Sequence, residues 1–317
     1  MENSLNQFPV RLFVVIVLYK MLPSESAAFR TLRAAVPSLQ NGQAEIKILL
    51  YDNTPGGQDL GALPAGVQYR ADPENGGLSA AFNYALEIAH EEGFNWLLSL
   101  DQDTSLPIDF LCKLCNAAKF IAPMHDVAAI APRISDDGRV VSPFTHIKHC
   151  WALMRNIPDG FVGIPTENVY AINSAFTIKV SALKAIGGYD PRFNLDFCDL
   201  VIGHRLHCQN LRVYVAGNIH VEHELSVLDL MNRTTPGRYD AIRRAEEAFY
   251  DEYLGKTEGM VLLLRLVYRL TYTLWRAGAT LPYFKVGLRF LCRRLLWSRK
   301  RRMENWRQTV RQRSTIS

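Results

Sequence analysis

No apolar run in the 317-residue chain is long enough to cross a bilayer. The stretch 12–19 is apolar but far too short, and it reads as a buried strand. No secretory signal is recognisable, so a cytoplasmic setting is expected. Cysteine is sparse: the six thiols at 112, 115, 150, 198, 208 and 292 follow no framework spacing. Cys112 and Cys115 fall within a helical pattern, and no second pair stands at zinc-ligand spacing. Reduced thiols are therefore expected, rather than a disulfide scaffold or a zinc module. Internal repeats and low-complexity segments are also missing, which excludes solenoids and disordered linkers of biased composition.

What remains is globular: 48% hydrophobic, 21% charged, with a net charge of +5. The length suits one large domain with an appendage. The modest net charge hides a split. Residues 254–317 hold 15 Lys/Arg against 2 Asp/Glu, while the remainder holds 21 against 29. Two regions are expected on this basis, an acidic domain over 1–253 and a basic one over 254–317.

Along the first region, apolar strand-like runs at 14–18, 46–51, 67–70, 96–100 and 127–132 alternate with helical patterns at 24–36, 78–92 and 108–121. Such alternation argues for a mostly parallel sheet flanked by helices. The segment 133–163 reads as irregular, 170–179 as a strand, 181–186 as a short helix, and 211–216 as a further strand. Ligands in such sheets bind beyond the carboxyl ends of the strands. Asp52 and the pair Asp101 and Asp103 fall there. Two carboxylates one residue apart at the end of a buried strand repel each other, and a hard divalent cation shared with a substrate diphosphate relieves that cost. The competing reading is a solvated turn before the next helix.

Further motifs follow in order. Asp52-Asn53 ends the second strand, where a carboxylate either accepts an imide N–H or closes an Asx-turn. Asn75-Gly76-Gly77 precedes a helix carrying Ser79 and Asn83, which is consistent with ligand approach or with capping. Asp196 and Asp199 flank Phe197-Cys198 ahead of a helix, as a general base or as its N-cap. His220 and His223 follow the last strand.

The series Tyr19-Lys20, Asp52-Asn53, the 74–83 segment, Asp101-Gln102-Asp103-Thr104 and Leu195-Asp196-Phe197-Cys198-Asp199 resembles family 2 glycosyltransferases of the GT-A (Rossmann-like) fold. The likeness runs over roughly residues 10–250 and is strongest to bacterial rhamnosyltransferase-like members that build O-antigen and other cell-surface polysaccharides. The resemblance implies an inverting, metal-dependent transfer of a sugar, with dTDP-L-rhamnose as donor. It assigns nucleotide contacts to Tyr19, Asp52, Asn75, Gly77, Asn83, Asp101 and Arg238. Mg²⁺ or Mn²⁺ would be held by Asp103 and His223, with His220 as the alternative to the histidine. The base is one of Asp196 and Asp199, with Asp196 preferred. Ser226 stands in place of a family glycine, and Asn173-Ser174-Ala175 in place of a Ser-Gly pair.

In the basic region, Arg265, Arg269 and Arg276 interrupt an apolar run, and Lys285, Arg289 and Arg293 recur every fourth residue, which stacks cations on one helix face. Amphipathic helices of this kind lie on anionic membranes. The resulting expectation is a peripheral protein at the inner face of the plasma membrane, meeting a nucleotide-sugar donor and a lipid-linked or polysaccharide acceptor. A solvated basic face is the plain alternative. Nucleic acid is not expected, because no recognition motif accompanies the charge. Two other functions compete. A non-catalytic sugar-nucleotide or glycan-binding module would not need the acid pair at 196 and 199. A nucleotidyltransferase would need a basic Gly-rich signature where Lys20-Met21-Leu22-Pro23 stands.

Overall fold

The computed structural model describes residues 9–40, 42–147, 150–223, 234–275 and 281–316; Ser226 and Arg276 lie outside them. Strand β1 (Val10–Leu18) is buried at every position except Arg11. An apolar run on both faces is what a central parallel strand requires. Leu12, Val14, Ile16 and Leu18 join one core cluster with helices α1 (Ala27–Ala35) and α3 (Phe110–Ile121). Phe13, Val15 and Val17 alternate to the other face, which α2 (Gly77–Glu91) covers.

Among the described residues the sheet has nine strands. Its order is β3 (Val67–Ala71), β2 (Ala44–Asp52), β1, β4 (Trp96–Asp101), β11 (Thr177–Lys179), β5 (Val127–Asp136), β12 (Arg212–Glu222) and β9 (Val162–Gly163), with β6 (Arg139–Ser142) added to β5. Strands β1 to β4 are mutually parallel, as are β5 and β12. Strand β11 runs antiparallel between β4 and β5. The mostly parallel α/β architecture is thus the one the alternating pattern implied. Register decides what meets at its edge: Val17 pairs with Asp101 and Leu18 with Asp52, so both carboxylates end up beside the end of β1.

Two stretches differ from the sequence reading. The segment read as irregular contains β6, β7 (Phe144–Ile147), β8 (Cys150–Asn156) and β9. Asp136 pairs with Arg139 across Asp137-Gly138, both at positive φ, which is the two-residue hairpin geometry that an Asp-Gly pair favours. The 170–179 run is two short strands, β10 (Val169–Tyr170) and β11, separated by a loop with Ala175 at φ 66°. Strand β10 pairs with β7. Helices α4 (Val180–Ala185) and α5 (Cys198–Cys208) complete this part.

The chain divides into two compact units, 1–145 with 156–224, and 146–155 with 225–317. The second unit therefore begins before residue 254. Helix α6 (Pro236–Tyr253) belongs with α7 (Lys256–Trp275), α8 (Leu281–Leu296) and α9 (Arg299–Ile316). Electrostatics explains the grouping. Glu246, Glu247 and Asp251 of α6 are buried, and the basic helices supply their partners. Arg269 lies 3.2 Å from Glu246, Arg293 2.6 Å from Glu247, and Arg294 and Arg302 2.8 and 2.7 Å from Asp251. The four-residue cation stripe is consequently split: Lys285 and Arg289 are exposed, whereas Arg293 is buried. Among the described residues no helix is long and apolar enough to cross a membrane.

Removing one partner of a buried pair leaves the other charge stranded, at a cost of about 3–5 kcal/mol. Glu247→Ala should lower stability by about that amount in urea denaturation followed by helical circular dichroism, whereas exposed Lys285→Ala should stay within about 0.5 kcal/mol.

Candidate active site

The carboxyl edge of the sheet gathers the acidic loop. Asp101 ends β4, and Thr104 N–H closes the turn onto its carbonyl at 3.2 Å. Gln102 ties the loop to the end of β1 by accepting from Tyr19 N–H at 2.8 Å, while its own carbonyl accepts from Ser26 Oγ at 2.8 Å. The Tyr19 ring is exposed at this edge, with the Lys20 ammonium 5.1 Å from its centroid.

A second tie brings in the last strand. Ser105 and Glu222 exchange backbone hydrogen bonds of 2.7 and 3.1 Å, which places the next residue, His223, against the acidic loop. His223 is buried, and its Nδ1 lies 3.2 Å from Asp103 Oδ1 while Nε2 lies 3.7 Å from Asp101 Oδ2. Burial lowers the imidazole pKa, but the facing carboxylates of Asp103, Asp101 and Asp136 outweigh it and the net shift is upward. His220 is exposed and, three residues away on an extended strand, belongs to the opposite face.

Among the described residues no group of three or more His, Cys, Asp or Glu side chains has the geometry of a metal site. The donors nevertheless suit a hard divalent ion. Asp103 Oδ1 is buried without a well-formed hydrogen bond, and an imidazole stands beside it. The expected pair of Asp103 and His223 is brought together.

Asp196 sits on the turn before α5, and Asp199 lies in the first turn of that helix. That turn is held by the 171–176 loop: Asn173 Nδ2 donates to Cys198 Sγ at 3.1 Å, and Asn173 Oδ1 accepts from Tyr189 Oη at 3.2 Å. The next residue, Ser174, donates to Asp101 Oδ2 at 2.5 Å. One dipeptide therefore touches Asp101 directly and, through Cys198, the start of α5. Helix α5 has Phe197 as N-cap, in the left-handed region at φ 67° and without a side-chain cap bond, so Asp199 is not the N-cap. Asp199 accepts Leu200 N–H at 2.8 Å. Burial pushes its pKa up to about 7; that N–H opposes the shift, and Asp101 and Asp196 add to it. Burial likewise raises Asp101, offset in part by His223 and Ser174. Asp196 is half-buried beside them.

Other expected ligand contacts have structural partners instead. Asp52 is 0% exposed. Its Oδ1 accepts from Thr54 N–H at 2.9 Å and Gln58 Nε2 at 3.1 Å, and its Oδ2 from Tyr69 Oη at 2.8 Å. The Asx-turn reading is the one realised, and the carboxylate has no open face for a base. Asn83 spends its amide on the Tyr189 backbone, donating to the carbonyl and accepting from the N–H, each at 2.8 Å. Gly77, at φ 83°, leaves room for Asn194, whose carbonyl oxygen would lie 2.4 Å from an added Cβ. That glycine fits the 193–199 segment rather than a phosphate. Asn75 is exposed at φ 55° and does not cap α2, whose N-cap is Gly76. Arg238 belongs to the helical unit, in the first turn of α6.

Residues 30–187 match the profile of Glycosyl transferase family 2. The match covers just under half of the chain. No curated protein sequence matches the chain. Among solved structures, S. aureus TarS 1-349 in complex with UDP-GlcNAc superimposes with a TM-score of 0.51 at 13% identity, covering 96% of this chain and 92% of that one. GalNAc-T7 with UDP, GalNAc and Mn²⁺ gives 0.50 at 15% identity, over 80% of this chain and 49% of the other. The chain spans 42% of a longer S. aureus TarS structure. At these identities the likeness establishes the fold, which is GT-A.

Within the matched segment, the residues that sequence reasoning missed are Asn173, Ser174, Gln102 and Tyr69. Their signal was faint: a polar pair inside an apolar run, and the middle residue of Asp-x-Asp. If Asn83 fastens the Tyr189 backbone, Asn83→Ala should cost about 2 kcal/mol in thermal or urea unfolding, from two lost hydrogen bonds. Donor KM should then change less than about threefold, within the 0.5–1 kcal/mol left to a residue that does not touch ligand.

Proposed function

We propose that the protein is an inverting, metal-dependent glycosyltransferase. It moves a sugar from a nucleoside diphosphate to a hydroxyl of a lipid-linked or polysaccharide acceptor. The observation that carries this reading is the sheet edge that sets His223 beside Asp103 and Asp101, with Ser174 donating to Asp101 and burial raising Asp199 to about 7. A base works best when its pKa lies near the operating pH. We assign the base to Asp199 rather than Asp196 for this reason. Asp199 takes the acceptor proton as the acceptor oxygen bonds to the anomeric carbon. The bond from that carbon to the diphosphate breaks, and its electron pair leaves with the nucleotide. Asp101 is held by Ser174.

Asp103 and His223 would hold Mg²⁺ or Mn²⁺, which offsets charge on the departing diphosphate. Tyr19, exposed at the end of β1, offers a surface for the base. The donor class is supported by the neighbours, whose structures contain UDP, UDP-GlcNAc and, with GalNAc-T7, Mn²⁺. Resemblance to the rhamnosyltransferase-like branch makes dTDP-L-rhamnose the specific donor to test, in cell-surface polysaccharide synthesis of the O-antigen type. The acceptor would be met at the cytoplasmic face of the membrane, with the chain bound peripherally.

A thermal-shift panel of nucleotide sugars with and without Mn²⁺ tests donor and metal together. Asp103→Asn should abolish transfer and remove the metal-dependent part of nucleotide affinity; normal turnover would take Asp103 out of the metal role.

Asp199 yields a pH test of its own. The rate should rise with pH through about 7. Asp199→Asn should lose that limb and about 10²–10⁴-fold in rate. The stability effect runs the other way. A carboxyl raised above its unfolded value favours the native state below about pH 4, and that contribution is lost as pH climbs through about 7. Asp199→Asn should therefore melt higher than wild type at pH 8, with the gap closing toward pH 4.

A further inference from the structure

Helices α7 and α8 turn large apolar side chains outward. On α7, Met260, Leu264, Val267 and Tyr268 are 59, 64, 42 and 67% exposed. Their spacing puts them on one face, with Lys256 at its start. On α8, Leu281, Leu288, Leu295 and Leu296 are 62, 42, 61 and 77% exposed. Lys285 and Arg289 lie on the same face of that helix; the arginine is 53% exposed and stands 3.5 Å from Asp240. Gly287 brings the two helices close, since a Cβ there would sit 2.9 Å from Leu270. Helix α9 adds exposed Arg299, Lys300 and Arg301. Residues 254–317 hold only Glu258 and Glu304 as acids.

We propose that the outward face of the α7–α8 pair docks on an anionic phospholipid surface, with its leucines in the acyl boundary and Lys256, Lys285 and Arg289 at the headgroups. The inference rests on the peripheral binding proposed above and refines it: of the cation stripe only Lys285 and Arg289 reach the surface, and they share their face with exposed leucines, whereas Arg293 is buried. The arginines at 269, 293, 294 and 302 are engaged with buried acids. The surface left outside is apolar with cations interspersed. Charge selects the occupant. A second copy would bring like charges face to face, and a nucleic acid would offer nothing to the leucines. A bilayer surface takes both, since long cationic side chains keep their ends among headgroups while their stems lie on apolar surface. Neither helix can span the bilayer, so they lie in its plane.

The full chain is tested by sedimentation with vesicles of phosphatidylcholine alone, or with roughly a third phosphatidylglycerol. No donor or acceptor is present, so the result is independent of whether transfer occurs. Wild type should sediment with the anionic vesicles and much less with the neutral ones. Leu264→Asp/Leu296→Asp should reduce the partition coefficient at least about tenfold, with circular dichroism unchanged. Lys256→Glu/Lys285→Glu should reduce it as well, by about tenfold at low salt. Two results overturn the proposal. One is equal binding by wild type and the leucine variant. The other is a wild-type dimer in sedimentation velocity that ignores vesicles and dissociates on the leucine substitutions.

Discussion

Asp101 and Asp199 come from different parts of the chain, and the charge of Asp101 adds to the rise that burial imposes on Asp199. The Asn173–Ser174 pair makes that arrangement possible. The serine hydroxyl stabilises Asp101, while the asparagine amide fixes Cys198 and, through it, the turn that presents Asp199. The relief is unequal. Asp101 has a hydroxyl and an imidazole nearby, whereas the influences opposing the rise at Asp199 come from backbone N–H groups. The neighbouring Cys198 thiol is pushed well upward by burial and stays protonated, so it packs without competing as a nucleophile.

Around this centre the polar side chains divide by what they touch. Asp52, Asn83 and Ser79 are internal fasteners: Asp52 organises the 54–58 turn, Asn83 clamps Tyr189, and Ser79 donates to Phe193 carbonyl at 2.6 Å. Asn83 and Ser79 serve backbone groups that would otherwise be buried without hydrogen bonds, and Asp52 serves one backbone N–H and two side chains. Because these three hold loops from separate strands, the groups at the edge, chiefly exposed Tyr19 and the partly buried Asp103, Asp196 and Asp199, stand on fixed supports. Preorganisation of this kind is what an active site needs, since reacting groups must be held before substrate arrives.

The central strands were legible because a buried parallel strand leaves little choice of residue: β1 and β4 are apolar almost throughout. The β5–β6 hairpin was legible too, in Asp137-Gly138, but the surrounding glycines and prolines drew the segment toward an irregular reading. At Asp52 the sequence could not choose, because the same carboxylate serves a turn and a base equally well; only burial decides. Asn83 is opaque for a different reason, its partner lying 106 residues away. The preference for Asp196 over Asp199 rested on motif position, whereas the distinguishing quantity is desolvation, which sequence does not display.

The same limit governs the helical unit. Counting charge by segment assigned α6 to the acidic side at residue 253, yet its acids are the counterions of the helices that follow. Buried ion pairs contribute little net stability against an apolar alternative, because dehydration consumes most of the Coulomb gain. They do penalise misplacement. Rotating α8 to expose Arg293 would strand Glu247, and rotating it the other way would bury Lys285 without a carboxylate to meet it. The pairs therefore fix the roll of each helix about its axis. That roll, rather than the number of cations, determines which leucines face outward, so the outer surface of the unit is set from within.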